Sequence, residues 1–209
     1  MVDGRFGRIT TQSINEAMTD PRIFWGGTAL VLLSSYFLQE EIRERIEKYN
    51  IPYLFLLVDD INEPIIGRSF THEMGEQVET FIYDLPEDIR YLHFCCDSGE
   101  SRSAGLGAAW LRRMSCDRND LTVWRSFKHP NPLIYRIMTE VLDVAVTPNE
   151  LKFRIDLNNA VLHQAIEASY KKQTLTQNQE DVLQNIESEH ERLRYLQRDL
   201  EMLMGQHTK

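Results

Sequence analysis

Eight consecutive residues, Cys96-Asp97-Ser98-Gly99-Glu100-Ser101-Arg102-Ser103, bring together a thiol, a guanidinium, three hydroxyls and a glycine. A loop of this length between Cys96 and Arg102 can wrap its backbone N–H groups around one tetrahedral anion, forming a nest. Asp97, Ser98, Gly99, Glu100, Ser101 and Arg102 are therefore the candidate phosphate-binding residues. Gly99 supplies the unusual backbone angles that such a wrap requires. A helix starting at Arg102 would add unpaired N–H donors and the positive end of its dipole. The Arg102 guanidinium suits two phosphate oxygens at once, which a lysine cannot grip in that way. The same positive surroundings favour the thiolate of Cys96, the nucleophilic form. Ser103 can donate its hydroxyl to that sulfur and steady it. One loop would then both hold a phosphoryl group and attack it.

These residues match the pattern C-x-x-G-x-S-R-S, and the chain resembles the cysteine-dependent protein tyrosine and dual-specificity phosphatases. The resemblance covers residues 28–142, and the segment His129-Pro-Asn-Pro-Leu-Ile-Tyr-Arg-Ile137 looks like the family's closing stretch before its last helix. It implies two steps: the thiolate attack gives a phosphocysteine, and water then hydrolyses it. Departure of an alkoxide or phenoxide needs a general acid. In the family this is an aspartate at a strand end before the cysteine. Here Val58-Asp59-Asp60-Ile61-Asn62-Glu63-Pro64 occupies that place. By analogy Asp60 is the acid, with Asp59 as the alternative. The catalytic set implied is Cys96, Arg102, Asp60 and Ser103, with no cofactor.

The chain departs from the family at Cys95, where a histidine usually precedes the nucleophile. Strand alternation points the nearby His93 to the same side as Cys95, so His93 is expected to be a buried, hydrogen-bonded core residue. Cys95 is expected to be a small buried hydrophobe, the alternative being a redox partner for Cys96. Asp97 and Glu100 put negative charge where relatives acting on inositol phosphates carry lysines. Like charge near a polyanion opposes binding. A phosphotyrosine-type monoester on a peptide is therefore expected over a phosphoinositide or an RNA 5′-triphosphate.

The loop must be held by a strand before it and a helix after it. Residues 91–95 read as that strand and 103–114 as that helix, rich in small residues. Upstream, Gly26-Gly27 opens an apolar run at 28–33, and Tyr-Leu-Phe-Leu-Leu-Val at 53–58 reads as a strand buried on both faces. Residues 39–49, with Ile42 and Ile46, form an amphipathic helix, and Met74, Val78, Phe81 and Ile82 mark another. Alternating strands and helices imply an α/β fold with a mainly parallel central sheet flanked by helices. Ligands of such sheets bind at the carboxyl ends of strands, where both Asp59-Asp60 and the Cys96 loop fall. Three parts are expected: a polar, irregular segment over 1–26, the α/β domain over 27–147, and a helical C-terminal extension over 148–209. In the extension, Ile155, Leu162, Ile166 and Tyr170 share one face. After a polar break at 174–179, Val182, Ile186, Glu189, Leu193, Leu196, Leu200 and Leu203 form a coiled-coil-like seam. That seam would dock on its own domain, or pair with a second copy or a partner helix.

A 42% apolar share among 209 residues is enough for a hydrophobic core. A net charge of −9 argues against a general nucleic-acid or anionic-membrane binder. Three cysteines are too few for a disulfide framework. Nor do Cys95, Cys96, Cys116 and six scattered histidines give a zinc spacing. The opening MVDGRFGRITTQ lacks the apolar core of a secretory signal, and no apolar run approaches the ~18 residues of a membrane helix. A soluble, cytoplasmic protein is expected. Gly99-Glu-Ser101-Arg-Ser103 fails the serine-hydrolase elbow at its last glycine. Gly105-Leu-Gly107 fails a dinucleotide loop at Trp110 and reads instead as room for the helix to approach the sheet. A different class, a phosphoprotein-binding module without turnover, stands as the alternative to the enzyme.

Overall fold

In the computed structural model, which describes residues 6–114, 129–170, 183 and 186–206, four parallel strands form one sheet. They are β1 (Arg8–Ser13), β2 (Thr28–Ser34), β3 (Tyr53–Leu57) and β4 (Tyr91–Cys96), in the order β1-β4-β2-β3. Helices α1 (Ile14–Thr19), α2 (Glu40–Lys48), α3 (His72–Asp84), α4 (Arg102–Met114) and α5 (Pro132–Val141) accompany the sheet. The fold is α/β with a helical C-terminal region. The chain divides into two compact units, Met1–Ala145 and Val146–Lys209.

Every residue of β2 is buried, as its unbroken apolar run requires of a central strand. Each fully buried aliphatic side chain there contributes about 1.5–3 kcal/mol relative to exposure. Sequence and structure part at β3. Its equally apolar run is an edge strand with Leu57 exposed and Tyr53, Leu54 and Phe55 half-buried, not a strand buried on both faces. A continuous apolar run does not distinguish a central strand from an edge strand.

Residues 6–26 are not an irregular segment outside the domain. Arg8–Ser13 is the opposite edge of the sheet and pairs in register with Tyr91–Cys96. Arg-Ile-Thr-Thr-Gln-Ser lacks apolar alternation because an edge strand has one neighbour and keeps much of its surface in water. Ser13 then starts α1 through a capping box with Glu16, and Asp20 caps the short turn at Pro21–Phe24.

Register brings Ser13 and Leu33 beside Cys96 on either side. The loop after β4 therefore emerges between the ends of β1 and β2. Gly105 makes room for a helix rather than for the sheet: a Cβ there would lie 2.9 Å from the Asn131 carbonyl oxygen and 3.1 Å from Ile134 Cβ on α5.

The second unit contains α6 (Pro148–Tyr170) and α7 (Ile186–Gln206). Leu151, Ile155, Leu162 and Ala165 cluster with Leu193 and Leu196, with Ile166, Ile186 and Leu200 packed around them. The α7 stripe is thus packed within its own unit. Cys116, the break at 174–179 and Val182 lie outside the described residues, as do the side chains of Glu189 and Leu203. Among the described residues no helix is long and apolar enough to cross a membrane.

Candidate active site

All four strand ends meet at the loop after β4. Cys96 closes that strand, fully buried, and its Sγ accepts the Gly99 N–H at 3.2 Å. Ser103 Oγ, also buried, lies 3.2 Å from the same sulfur. Gly99 has φ of +80°, and a Cβ there would fall 2.5 Å from the Gln12 carbonyl carbon and nearer still to the Ser13 nitrogen. No other residue type fits so closely against the end of β1. Ser98 Oγ accepts the Glu100 N–H at 3.4 Å across the outer turn. Asp97 and Ser98 are exposed, whereas Gly99 and Glu100 are half-buried.

Arg102 opens α4 but its side chain is only 4% exposed. Nη1 donates to the Val58 carbonyl at 2.6 Å and to Ser35 Oγ at 3.1 Å. Nη2 donates to Asp97 Oδ2 at 2.6 Å, and that oxygen also accepts the Ser35 N–H at 3.2 Å. Nε is buried without a hydrogen-bond partner. The ends of β2 and β3 thus fix one side of the guanidinium and leave a donor uncommitted. Burial pushes the Asp97 carboxyl up, but hydrogen bonds from Ser34 and Arg102 outweigh it and hold the group below its ordinary value. Asp97 reaches the arginine through its side chain, a contact its place in the loop pattern did not suggest.

The two aspartates after β3 part company. Asp59 pairs with Arg68, whose Nε and Nη2 both lie 2.6 Å from Oδ2. The hydrogen bond from Arg68 lowers the Asp59 carboxyl from its ordinary value. Asp60 turns to the Cys96 loop: its Oδ1 accepts Ser101 Oγ–H at 2.7 Å and Asn131 Nδ2–H at 2.8 Å. Asn131 is fully buried and caps α5 by accepting the Ile134 N–H at 3.0 Å. Its amide also donates to the Ile61 carbonyl, and its backbone N–H donates to the Ser101 carbonyl. One asparagine therefore fastens the β3 loop, the β4 loop and α5 together.

Ser35 and Asn131 carry weight that the motif did not reveal. Ser34-Ser35 at the end of an apolar strand was the available signal for the first. The Pro-Asn-Pro spelling was the signal for the second. In the segments that follow β2 and β3, Tyr36, Phe37, Ile65 and Ile66 are exposed.

Cys95 points away from Cys96 and packs among Ile14, Met18, Leu30 and Leu32. Burial pushes its thiol well up, and both cysteines are free. His93, on the same face, shares a hydrogen bond with Thr10 Oγ1, and burial lowers its ring to about 4. Among the described residues no group of three or more His, Cys, Asp and Glu could hold a metal ion. No protein-family model matches the chain, and no curated protein matches it.

Proposed function

We propose that the protein is a phosphomonoester hydrolase, a protein tyrosine or dual-specificity phosphatase working through a phosphocysteine. The observation that carries this reading is the arrangement of Cys96 and Arg102. A sulfur accepting a main-chain N–H and touching Ser103 Oγ shares one loop with a buried guanidinium that keeps an unpartnered Nε. A phosphoryl group supplies the acceptor that this Nε lacks.

In the first step the Cys96 thiolate attacks phosphorus and an S–P bond forms. The ester P–O bond breaks, and the departing oxygen takes a proton from Asp60. In the second step water attacks phosphorus and passes its proton to the Asp60 carboxylate. The S–P bond breaks, phosphate leaves, and Ser103 donates its hydroxyl to the returning thiolate. Ser101 and Asn131 position Asp60 for both transfers. Asp59, neutralised by Arg68, is the poorer proton donor.

Acidic Asp97 and Glu100 favour a monoester on a protein or peptide over a phosphoinositide. The negative chain charge fits a partner other than nucleic acid or membrane. Free thiols at Cys95 and Cys96 suit the cytoplasm. The apolar stripe of α7 is used within the second unit, so a partner helix or a second copy would dock on its remaining surface.

Phosphate release is measured from p-nitrophenyl phosphate, a phosphotyrosyl peptide and phosphoinositides, for wild type and Cys96→Ser. Release from the first two, abolished in Cys96→Ser, is expected. Tight phosphopeptide binding by wild type without any release would replace the enzyme with a binding module. Faster release from phosphoinositides than from the peptide would overturn the substrate class.

A further inference from the structure

A second polar depression lies on the face of the sheet that carries Cys95, the face opposite Cys96. Arg8, Thr10 and Gln12 alternate along β1, and Arg8 and Thr10 sit in register with Tyr91 and His93 of β4. With Asp20, Arg22, Trp25 and Gly26 they line a cavity of about 360 Å³. That is the lower end of the range for small-molecule sites. The cavity exists because α1, α2 and the turn after α1 cover Leu30, Leu32 and Cys95 with apolar side chains. The strip over β1 and the start of β4 is left polar.

The lining is more than an open edge. Gln12 Nε2 is buried with no nitrogen or oxygen partner, only the weakly accepting Cys95 sulfur beside it, and leaving a buried donor so poorly satisfied is costly. An acceptor from a ligand would remove that cost. Both carboxylate oxygens of Asp20 are taken by Arg22, so that pair is neutral as a unit. His93 is uncharged near neutral pH, because burial holds its ring at about 4. Arg8, which forms no ion pair with a described residue, leaves the lining with a net positive charge in a chain of net charge −9. At the rim Trp25 is 75% exposed and Tyr91 45% exposed, and both offer flat faces.

A cation, a poorly satisfied amide donor and two open aromatic rings around one small cavity suit a single chemistry. We propose that this cavity binds a small aromatic carboxylate, with its carboxylate on Arg8 and Gln12 and its ring against Trp25. The site is separate from the Cys96 loop and does not rest on the phosphatase reading.

The test titrates benzoate into the isotope-labelled full chain and follows the Trp25 indole N–H by NMR, its signal identified by Trp25→Phe. Arg8→Gln is the main variant, since Arg8 is exposed and its strand pairing runs through the backbone. Gln12→Leu is the second, and Arg102→Ala controls for binding at the anion loop. A saturable shift is expected, weakened about tenfold in Arg8→Gln and in Gln12→Leu and unchanged in Arg102→Ala. Benzamide, which lacks the charge, and cyclohexanecarboxylate, which lacks the aromatic ring, should bind at least about fivefold more weakly. No Trp25 shift in folded wild type overturns the proposal. So does a shift lost in Arg102→Ala but kept in Arg8→Gln, or one weakened equally in both.

Discussion

Asp97 and Arg102 form an ion pair of 2.6 Å inside the loop, the arginine side chain 4% exposed and the aspartate side chain 34% exposed. The carboxylate aligns the guanidinium, yet it also sets a negative charge beside the place where a phosphoryl group would bind. Asparagine in its place keeps an acceptor oxygen and removes the charge. Asp97→Asn should lower KM for an aryl phosphate about fivefold, equivalent to about 1 kcal/mol, with kcat little changed. Asp97→Ala, which also removes the acceptor, should lower kcat/KM about tenfold. Steady-state kinetics on the two variants decide this, and a raised KM in Asp97→Asn contradicts it.

The two aspartates after β3 should separate by leaving group. Asp60→Asn should lower kcat/KM, which reports formation of the phosphocysteine, about 10²-fold with phenyl phosphate, whose leaving group needs a proton, and far less with p-nitrophenyl phosphate. Asp59→Asn should leave both rates near wild type and change stability little, since its partner Arg68 is largely exposed. If Asp59→Asn shows the leaving-group dependence and Asp60→Asn does not, the proton donor has been assigned to the wrong residue.

Gly99→Ala confronts a φ of +80° and the backbone of Gln12 and Ser13. The expected cost is about 2 kcal/mol, or roughly 6 °C in Tm, with turnover falling about 10²-fold as the loop shifts off β1. Thermal melts and kinetics on one preparation check both numbers. An alanine variant of wild-type activity would show that the loop does not depend on this close approach.

His93 makes stability depend on pH. Its ring is lowered from 6.5 to about 4 by burial, so between these values the unfolded chain binds more protons than the folded one. Stability is therefore greatest above 6.5, falls as pH drops toward 4, and gains no further loss from this group below that. The full span is about 3 kcal/mol. Urea unfolding across the window should show that slope in wild type and a flatter one in His93→Gln. Equal slopes would place the acid sensitivity elsewhere.

Much of the sheet was legible because β2, β4 and their helices announce themselves by burial. Strand runs such as Leu30 to Leu33 have only one way to leave water. β1 was not legible, since Arg8 to Ser13 owes its place to backbone pairing with β4, which leaves no mark on side-chain type. The same limit made β3 look central. In the loop, the spelling from Cys96 to Ser103 announced the sulfur–hydroxyl contact, because those residues are local neighbours. The ties from Arg102 to Ser35 and Val58, and from Asp60 to Asn131, span |i−j| of 67, 44 and 71. Contacts at such separations follow from strand order, which the sequence left open.

The proposed phosphocysteine offers the most direct measurement. Wild type is mixed with p-nitrophenyl phosphate, quenched in acid within the first turnovers, digested and examined by mass spectrometry. The mechanism requires one phosphoryl group on the peptide containing Cys96, accumulating further in Asp60→Asn as hydrolysis of the intermediate slows. Turnover by wild type with no phosphoryl group on Cys96 in either protein would contradict it.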